Sequence, residues 1–275
     1  MTTHPFNIKE TQPYALVTGG SKGIGYAIAA ALARRNYNLI LVARDSNALS
    51  AAKHKLEALY PIQVETLSYD LSLDESAGLI AQWCIDRDVK LKILCNAAGL
   101  GGEKDYLSLS LDSLRQMVNL NLESSMAMCL LLLPLLEKNI PSYILNVSSL
   151  AGFAPIPSKN IYSATKAALI YFSYGLRFQL KKKNIRVSCL VPGPVFTKPS
   201  IKEVTEKKMG WFGTQMAVAP EEVGELAVKK TLEKKLIIIP GTLAKISAAI
   251  IRILPKRWIT HLYSLSDQPD SNILS

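Results

Sequence analysis

Disulfide and metal chemistry have little to work with in this chain. Its 275 residues hold four cysteines, Cys84, Cys95, Cys129 and Cys189, which lie far apart and form no CxxC pair. That pattern favours a reducing compartment and no metal site. Three histidines, His4, His54 and His261, are equally scattered and leave a serine–histidine hydrolase without a base. Aromatic residues are only 7% of the chain and are not interleaved with the basic ones. With no reader motif either, nucleic acid is excluded as the partner. Long apolar runs are missing too. "MAMCLLLLPLL" (126–136) is too short to cross a bilayer and contains Pro134, and "LAKISAAIIRILP" (243–255) is short and carries Lys245 and Arg252. The N-terminus lacks a charged region followed by an apolar core, so no secretory signal is expected and the cytoplasm is the expected location.

What is present is a globular composition, 49% hydrophobic and 20% charged, with a net charge of +10 that suits a phosphorylated ligand or an anionic membrane surface. Short Val-, Ile- and Leu-rich runs alternate with helical patterns. Strands are predicted at "YALVTG" (14–19), "NLILVAR" (38–44), "QVETLSYD" (63–70), "LKILCNAAG" (91–99), "SYILNVSS" (142–149), "NIRVSCLVPG" (184–193) and "KLIIIPG" (235–241). Helices fall between them, including a long one over 112–138 and another over 159–182. Near-continuous apolar strands indicate burial on both faces, as in a parallel sheet. The pattern predicts an α/β fold, a Rossmann-like doubly wound parallel sheet of about seven strands with helices on both faces. No repeat or break marks a second domain. A single domain is expected, its core spanning 12–241, with a C-terminal extension over 242–275.

"TGGSKGIG" (18–25) follows the first strand and opens the first helix. Gly19, Gly23 and Gly25 keep the turn free of Cβ atoms, so backbone amides and the helix N-terminus can approach a pyrophosphate. Further along, "NIYSATKAAL" (160–169) puts Tyr162 and Lys166 one helical turn apart, which by itself could be surface decoration. A tyrosine hydroxyl can give a proton to an alkoxide-like oxygen, but its ordinary pKa near 10 is too high for cycling at neutral pH. A nearby ammonium would be expected to lower it.

The G-x-x-x-G-x-G spacing resembles the short-chain dehydrogenase/reductase family. So do, in order, "NAAG" (96–99), "NVSS" (146–149), Tyr162-x-x-x-Lys166 and "PGPVFT" (192–197). The resemblance implies a carbonyl–alcohol oxidoreductase working by hydride transfer on a small molecule, and a homodimer or homotetramer. It also implies roles. Tyr162 is the general acid/base, and Lys166 lowers its pKa and binds the nicotinamide ribose. Ser149, three residues after Asn146 and thirteen before Tyr162, holds the substrate oxygen, while Ser148 bonds its own backbone. Asn121 holds a water in the relay behind the lysine.

Cofactor contacts implied by the resemblance are Gly19, Ser21, Lys22, Gly23, Ile24 and Gly25 in the turn, Asp70 and Leu71 after the third strand, and Asn96, Ala97 and Ala98. Asn119 joins them through its backbone, with Pro192, Gly193, Val195 and Thr197 after the sixth strand. Asp70 is read either as an adenine contact or as a helix N-cap. Ala43 stands where an acid would select NAD, and Arg44 follows it. With Lys22 this favours NADP(H) over NAD. Asp45 is expected to cap the next helix instead.

The stretch 198–220, with Met209, Trp211, Phe212 and Met216, is expected to be an apolar substrate lid, suited to a hydrophobic, lipid-like or ketoacyl compound. Alternatives to an enzyme are a silent nucleotide-binding regulator and a membrane-surface adaptor. From Lys229 to Arg257 there are eight basic residues and only Glu233 as acid. Leu243, Ile246, Ile250 and Ile253 recur at helical spacing with Lys245 and Arg252 on another face, and Trp258 follows. This segment is expected either to pack on the protein or to lie peripherally on a membrane.

Overall fold

The computed structural model describes residues 12–101, 106–195 and 218–266. Seven parallel strands form one sheet: β1 (Tyr14–Thr18), β2 (Asn38–Ala43), β3 (Val64–Ser68), β4 (Leu91–Asn96), β5 (Ser142–Val147), β6 (Ile185–Leu190) and β7 (Ile237–Ile238). Their spatial order is β3-β2-β1-β4-β5-β6-β7, so the chain reverses direction between β1 and β4, the switch point where doubly wound sheets bind ligands. The expected seventh strand is present but only two residues long.

Side-chain alternation divides the core. Ala15 and Val17 of β1 face one side with α1 (Gly23–Ala33), α2 (Ser46–Leu59) and α8 (Pro220–Leu232). Tyr14 and Leu16 face the other, with α3 (Ser76–Asp86), α5 (Ser124–Leu131), α6 (Leu133–Lys138) and α7 (Asn160–Leu180). Both faces of the central strands are dry, which explains their unbroken apolar runs. Gly224 lets α8 lie directly on α1, since a Cβ there would stand 2.4 Å from the Ala27 carbonyl carbon.

The expected long helix over 112–138 is interrupted. α4 (Leu111–Val118) leads into a π-helical turn, Asn119–Glu123, before α5. Such turns carry one extra residue and re-aim side chains at functional sites. Here the turn carries Asn121, which is fully buried.

A third apolar cluster joins α9 (Thr242–Ile253) to the sheet edge. Ala244 and Ala248 pack on Leu150, Ile170, Cys189 and Val191. The buried face is therefore the alanine side. Of the predicted stripe, Leu243 packs against this cluster, whereas Ile246, Ile250 and Ile253 point outward. A short α10 (Lys256–Ser266) follows, anchored by buried Ile259. Among the described residues no helix is long and apolar enough to cross a membrane.

Candidate active site

The C-terminal ends of β1, β4 and β5 meet one another, and the candidate residues gather there. On the β1 side, Gly19 and Gly23 adopt φ of 66° and 60°, in the region that favours glycine. A Cβ on Gly25 would stand 2.2 Å from the Gly19 carbonyl oxygen, so no other residue fits. α1 begins after Lys22 with no side-chain cap and no acid in its first turn. Its first amides and its positive dipole end are thus open to an anion. Thr18, in the motif but given no role from sequence, fastens this turn to β4: the Ala97 and Ala98 amides donate to its Oγ1 at 2.9 and 3.0 Å. Only the pairing of the two strands reveals that function.

Around the expected nucleotide contacts the placements vary. Ala97 and Ala98 border Gly19, where a Cβ would come within 3.0 Å of both. The Asn96 side chain turns inward instead, donating to Asn146 Oδ1 at 2.9 Å between β4 and β5. Asp70 accepts from the Ser72 amide and hydroxyl at 3.0 and 2.7 Å, and Leu71 behind it is buried. The Asp70 side chain caps no helix, since α3 starts only at Ser76. Burial pushes its carboxyl upward, but the Ser72 bonds and the Arg44 charge together hold it below its ordinary value. Arg44 is exposed just past β2, 3.5 Å from Asp70. Asp45 caps α2 as expected, accepting from the Ala48 amide at 3.0 Å. Asn119 donates to Ser72 O and Asp74 Oδ1 at 3.2 and 3.1 Å. Ser21 and Ile24 sit part-buried in the turn, Lys22 is exposed, and the Pro192 carbonyl accepts from the Leu150 amide at 2.9 Å. Gly193 is part-buried and Val195 buried. Thr197 and the lid residues Met209, Trp211, Phe212 and Met216 lie outside the described residues.

On the β5 side the two serines have different partners. Ser148 is buried and its hydroxyl donates to the Lys166 carbonyl oxygen at 2.8 Å, reaching another helix and not its own backbone. Ser149 starts a 3-10 turn (Leu150–Phe153), accepts from the Ala151 amide at 3.2 Å, and bonds Tyr162. Lys166 is buried and donates to Val147 O at 3.0 Å, with its Nζ 5.8 Å from the Tyr162 ring centre.

The electrostatics correct one expectation. Burial raises the Tyr162 pKa above its ordinary value, with the Ser149 bond pulling the other way. Its shift owes nothing to Lys166, whose ammonium donates to the Val147 carbonyl. Burial instead lowers Lys166 itself to about 8, slightly opposed by Cys189.

Behind the lysine, Asn121 clamps the backbone of Leu100, accepting from its amide at 2.7 Å and donating to its carbonyl at 2.9 Å. A Cβ on Gly99 would lie 3.2 Å from Asn121 Oδ1 and 3.3 Å from Lys166 Nζ, so the bare backbone there admits both groups. Thr165, overlooked in the sequence, ties this side together: its hydroxyl donates to Tyr162 O at 2.8 Å and lies 3.4 Å from Asn121 Nδ2.

This arrangement can bind an anion at α1 and exchange a proton at Tyr162. Relatives are found at the level of sequence. Residues 13–208 match the short chain dehydrogenase family. A very-long-chain 3-oxoacyl-CoA reductase-A of Danio rerio is 33% identical over 189 residues, which cover 67% of this chain and 59% of that one. The chain thus spans only about three fifths of the reductases it matches, 59% of this one and 60% of its Mus musculus counterpart. A hydroxysteroid dehydrogenase-like protein 1 of Gallus gallus is 33% identical over 227 residues, 81% of this chain and 68% of that one. Among solved structures, an alcohol dehydrogenase from the archaeon Thermococcus sibiricus, complexed with 5-hydroxy-NADP, superposes with a TM-score of 0.70 at 27% identity, covering 83% and 95% of the two chains. With its glycine turn, its seven parallel strands and its Ser149, Tyr162 and Lys166 in one place, the chain belongs to the short-chain dehydrogenase family.

Proposed function

We propose that this chain is a single-domain, NADP(H)-dependent oxidoreductase that interconverts a carbonyl and a secondary alcohol on a hydrophobic, lipid-like or ketoacyl substrate. The observation that carries this is the meeting of Ser149, Tyr162 and Lys166 beside an α1 N-terminus whose amides are left open. The residues fit a dinucleotide: glycines that a Cβ would fill, an uncapped helix start, and the cations Lys22 and Arg44 for a 2′-phosphate. When bound, the nicotinamide gives or takes the hydride.

The chain's own atoms handle the rest. Ser149 holds the carbonyl oxygen as negative charge develops on it. The Tyr162 hydroxyl donates its proton to that oxygen in reduction and recovers it in oxidation. Lys166, placed by Val147 O, supplies positive charge on the ribose side and returns a proton toward the tyrosine, with Asn121 and Thr165 fixing the backbone around it. Burial keeps water from competing. The 5-hydroxy-NADP complex of the archaeal relative supports the phosphate-bearing cofactor, and the 3-oxoacyl-CoA reductases support the substrate class.

The same reading includes self-association. Tyr171 and Phe178 of α7 and Leu130 of α5 are 77%, 82% and 72% exposed, apolar side chains on helices that cover the same side of the sheet. It also includes a cytoplasmic location with peripheral membrane contact by the C-terminal segment. The test is NADPH oxidation by purified protein across a panel of ketones including long-chain 3-oxoacyl thioesters, with NADH in parallel. Turnover that favours NADPH and apolar chains is expected. Tight NADPH binding without turnover of any ketone would leave the regulator reading standing.

A further inference from the structure

We infer that the outer face of the α9–α10 pair docks on an anionic membrane surface, beside the substrate side of the site. Two apolar triplets stand in solvent there. Ile246, Ile250 and Ile253 are 51%, 50% and 83% exposed, and Trp258, Leu262 and Leu265 are 54%, 60% and 55% exposed. Each triplet runs i, i+4, i+7, so each forms one stripe along its helix. The stripe on α9 lies about half a turn from the buried Ala244 and Ala248, at roughly 100° per residue. The helix is therefore fixed to the protein on one side and bare on the other. Scattered exposed leucines need no explanation, but two stripes on consecutive helices do.

Charge decides what covers them. Between residues 234 and 266 the sequence has six basic side chains, Lys234, Lys235, Lys245, Arg252, Lys256 and Arg257, and no Asp or Glu. Lys245 and Arg252, seven residues apart, flank the α9 stripe on one side. Arg252 lies over the Phe153 ring at 5.5 Å, and Lys256 bonds Phe153 O at 2.9 Å, while Lys245 and Arg257 are exposed. A second copy of the chain meeting this face would press like charges together. Aliphatic side chains with a tryptophan and a cationic margin suit the boundary between headgroups and acyl chains.

Position gives the docking a purpose. α9 packs on the 3-10 turn at 150–153 that follows Ser149, and α10 contacts the turn at 157–159 that precedes Tyr162. A docked face would hold the loop between the two catalytic hydroxyls one helix away from the lipid, where an apolar ketone is concentrated. That role rests on the oxidoreductase reading, but the docking does not.

Co-sedimentation of the full-length chain with phosphatidylcholine vesicles, with and without phosphatidylglycerol, tests it. Binding is expected only with phosphatidylglycerol and should weaken in salt. Lys245→Gln with Arg257→Gln should weaken it about 25-fold, from about fivefold per cation removed. Ile250→Glu with Leu262→Glu should abolish it. Both pairs should keep the elution volume of the parent and its NADPH-dependent turnover of a water-soluble ketone. Full-length protein that binds NADPH but does not sediment would overturn the inference. So would binding kept by both pairs, or an assembly of the parent that both pairs dissolve. Vesicle binding by a chain that turns over no ketone would uphold the docking and sink the enzyme reading.

Discussion

Between β1 and α1 the site is built from backbone: two glycines at positive φ, a third with no room for a Cβ, and the bare start of a helix. Between β5 and α7 it is built from side chains: a serine at a turn, a half-buried tyrosine, and a lysine enclosed and aimed by a carbonyl. On the proposed reading the first side holds the cofactor mainly by shape and dipole, so space matters most there. On the same proposed reading the second moves a proton, so the identity of one atom decides everything.

The sharpest separation is expected from Tyr162→Phe, which removes only the transferable proton. Turnover should fall by about 10²–10⁴-fold. Titration of the variant with NADPH should give nearly the parent's affinity, and a joint loss of both would erase the distinction between the sides. Next in size is Ser149→Ala, with turnover down about 10²–10³-fold as a donor to the developing oxyanion is lost. Ser148→Ala, which removes only a bond to the Lys166 carbonyl, should cost about 0.5–1.5 kcal/mol of stability in urea unfolding and much less rate. If Ser148 proved the more damaging for rate, the assignment of the two serines would be reversed.

Gly25→Ala probes the opposite side. Its methyl meets the Gly19 carbonyl oxygen at 2.2 Å, backbone that cannot rotate away, and such overpacking costs about 1–3 kcal/mol. NADPH affinity should fall up to about 100-fold while turnover at saturation is largely kept. Smaller still, Arg44→Ala and Lys22→Ala should each weaken NADPH about tenfold and leave NADH little changed, since a charge-assisted bond contributes about 1.5–3 kcal/mol. Equal losses for both cofactors would mean these cations only shape the loop.

The mildest effect is with pH. Lys166 holds its proton in the folded chain only up to about 8, against 10.5 ordinarily. Reductive turnover should therefore decline as pH rises through about 8. Stability should move the other way. The folded pKa is depressed, so between the two values the unfolded chain binds more protons, and the contribution of Lys166 to stability rises with pH across that window. Urea unfolding of the parent and Lys166→Met at pH 8 and 10 would show the parent gaining relative to the variant. A constant difference would mean the ammonium is not buried as described.

Much of the site was legible because its residues are bound to sequence spacing. A turn that needs bare backbone must show glycines, and one helical turn must place Tyr162 and Lys166 together. Thr18 and Thr165 were not legible, because their bonds join Ala97 and Asn121, 79 and 44 residues away. Asn96 was misleading for the same reason, as its side chain is taken up by Asn146, 50 residues on, across the sheet. The C-terminal helix was read by its isoleucines, yet small alanines let α9 approach the sheet edge closely, and the larger side chains were left outside.

By itself the sequence determined the alternation of strand and helix, the parallel sheet and the glycine turn, since local period and side-chain chemistry fix all of these, and it placed Tyr162 and Lys166 one helical turn apart. Tertiary structure alone decided the π-helical turn that buries Asn121 and the pairing of Arg44 with Asp70. It also decided the burial that raises Tyr162 and lowers Lys166, and which face of α9 meets the protein. Desolvation and packing depend on what surrounds a residue in space, and spacing along a chain does not carry that information.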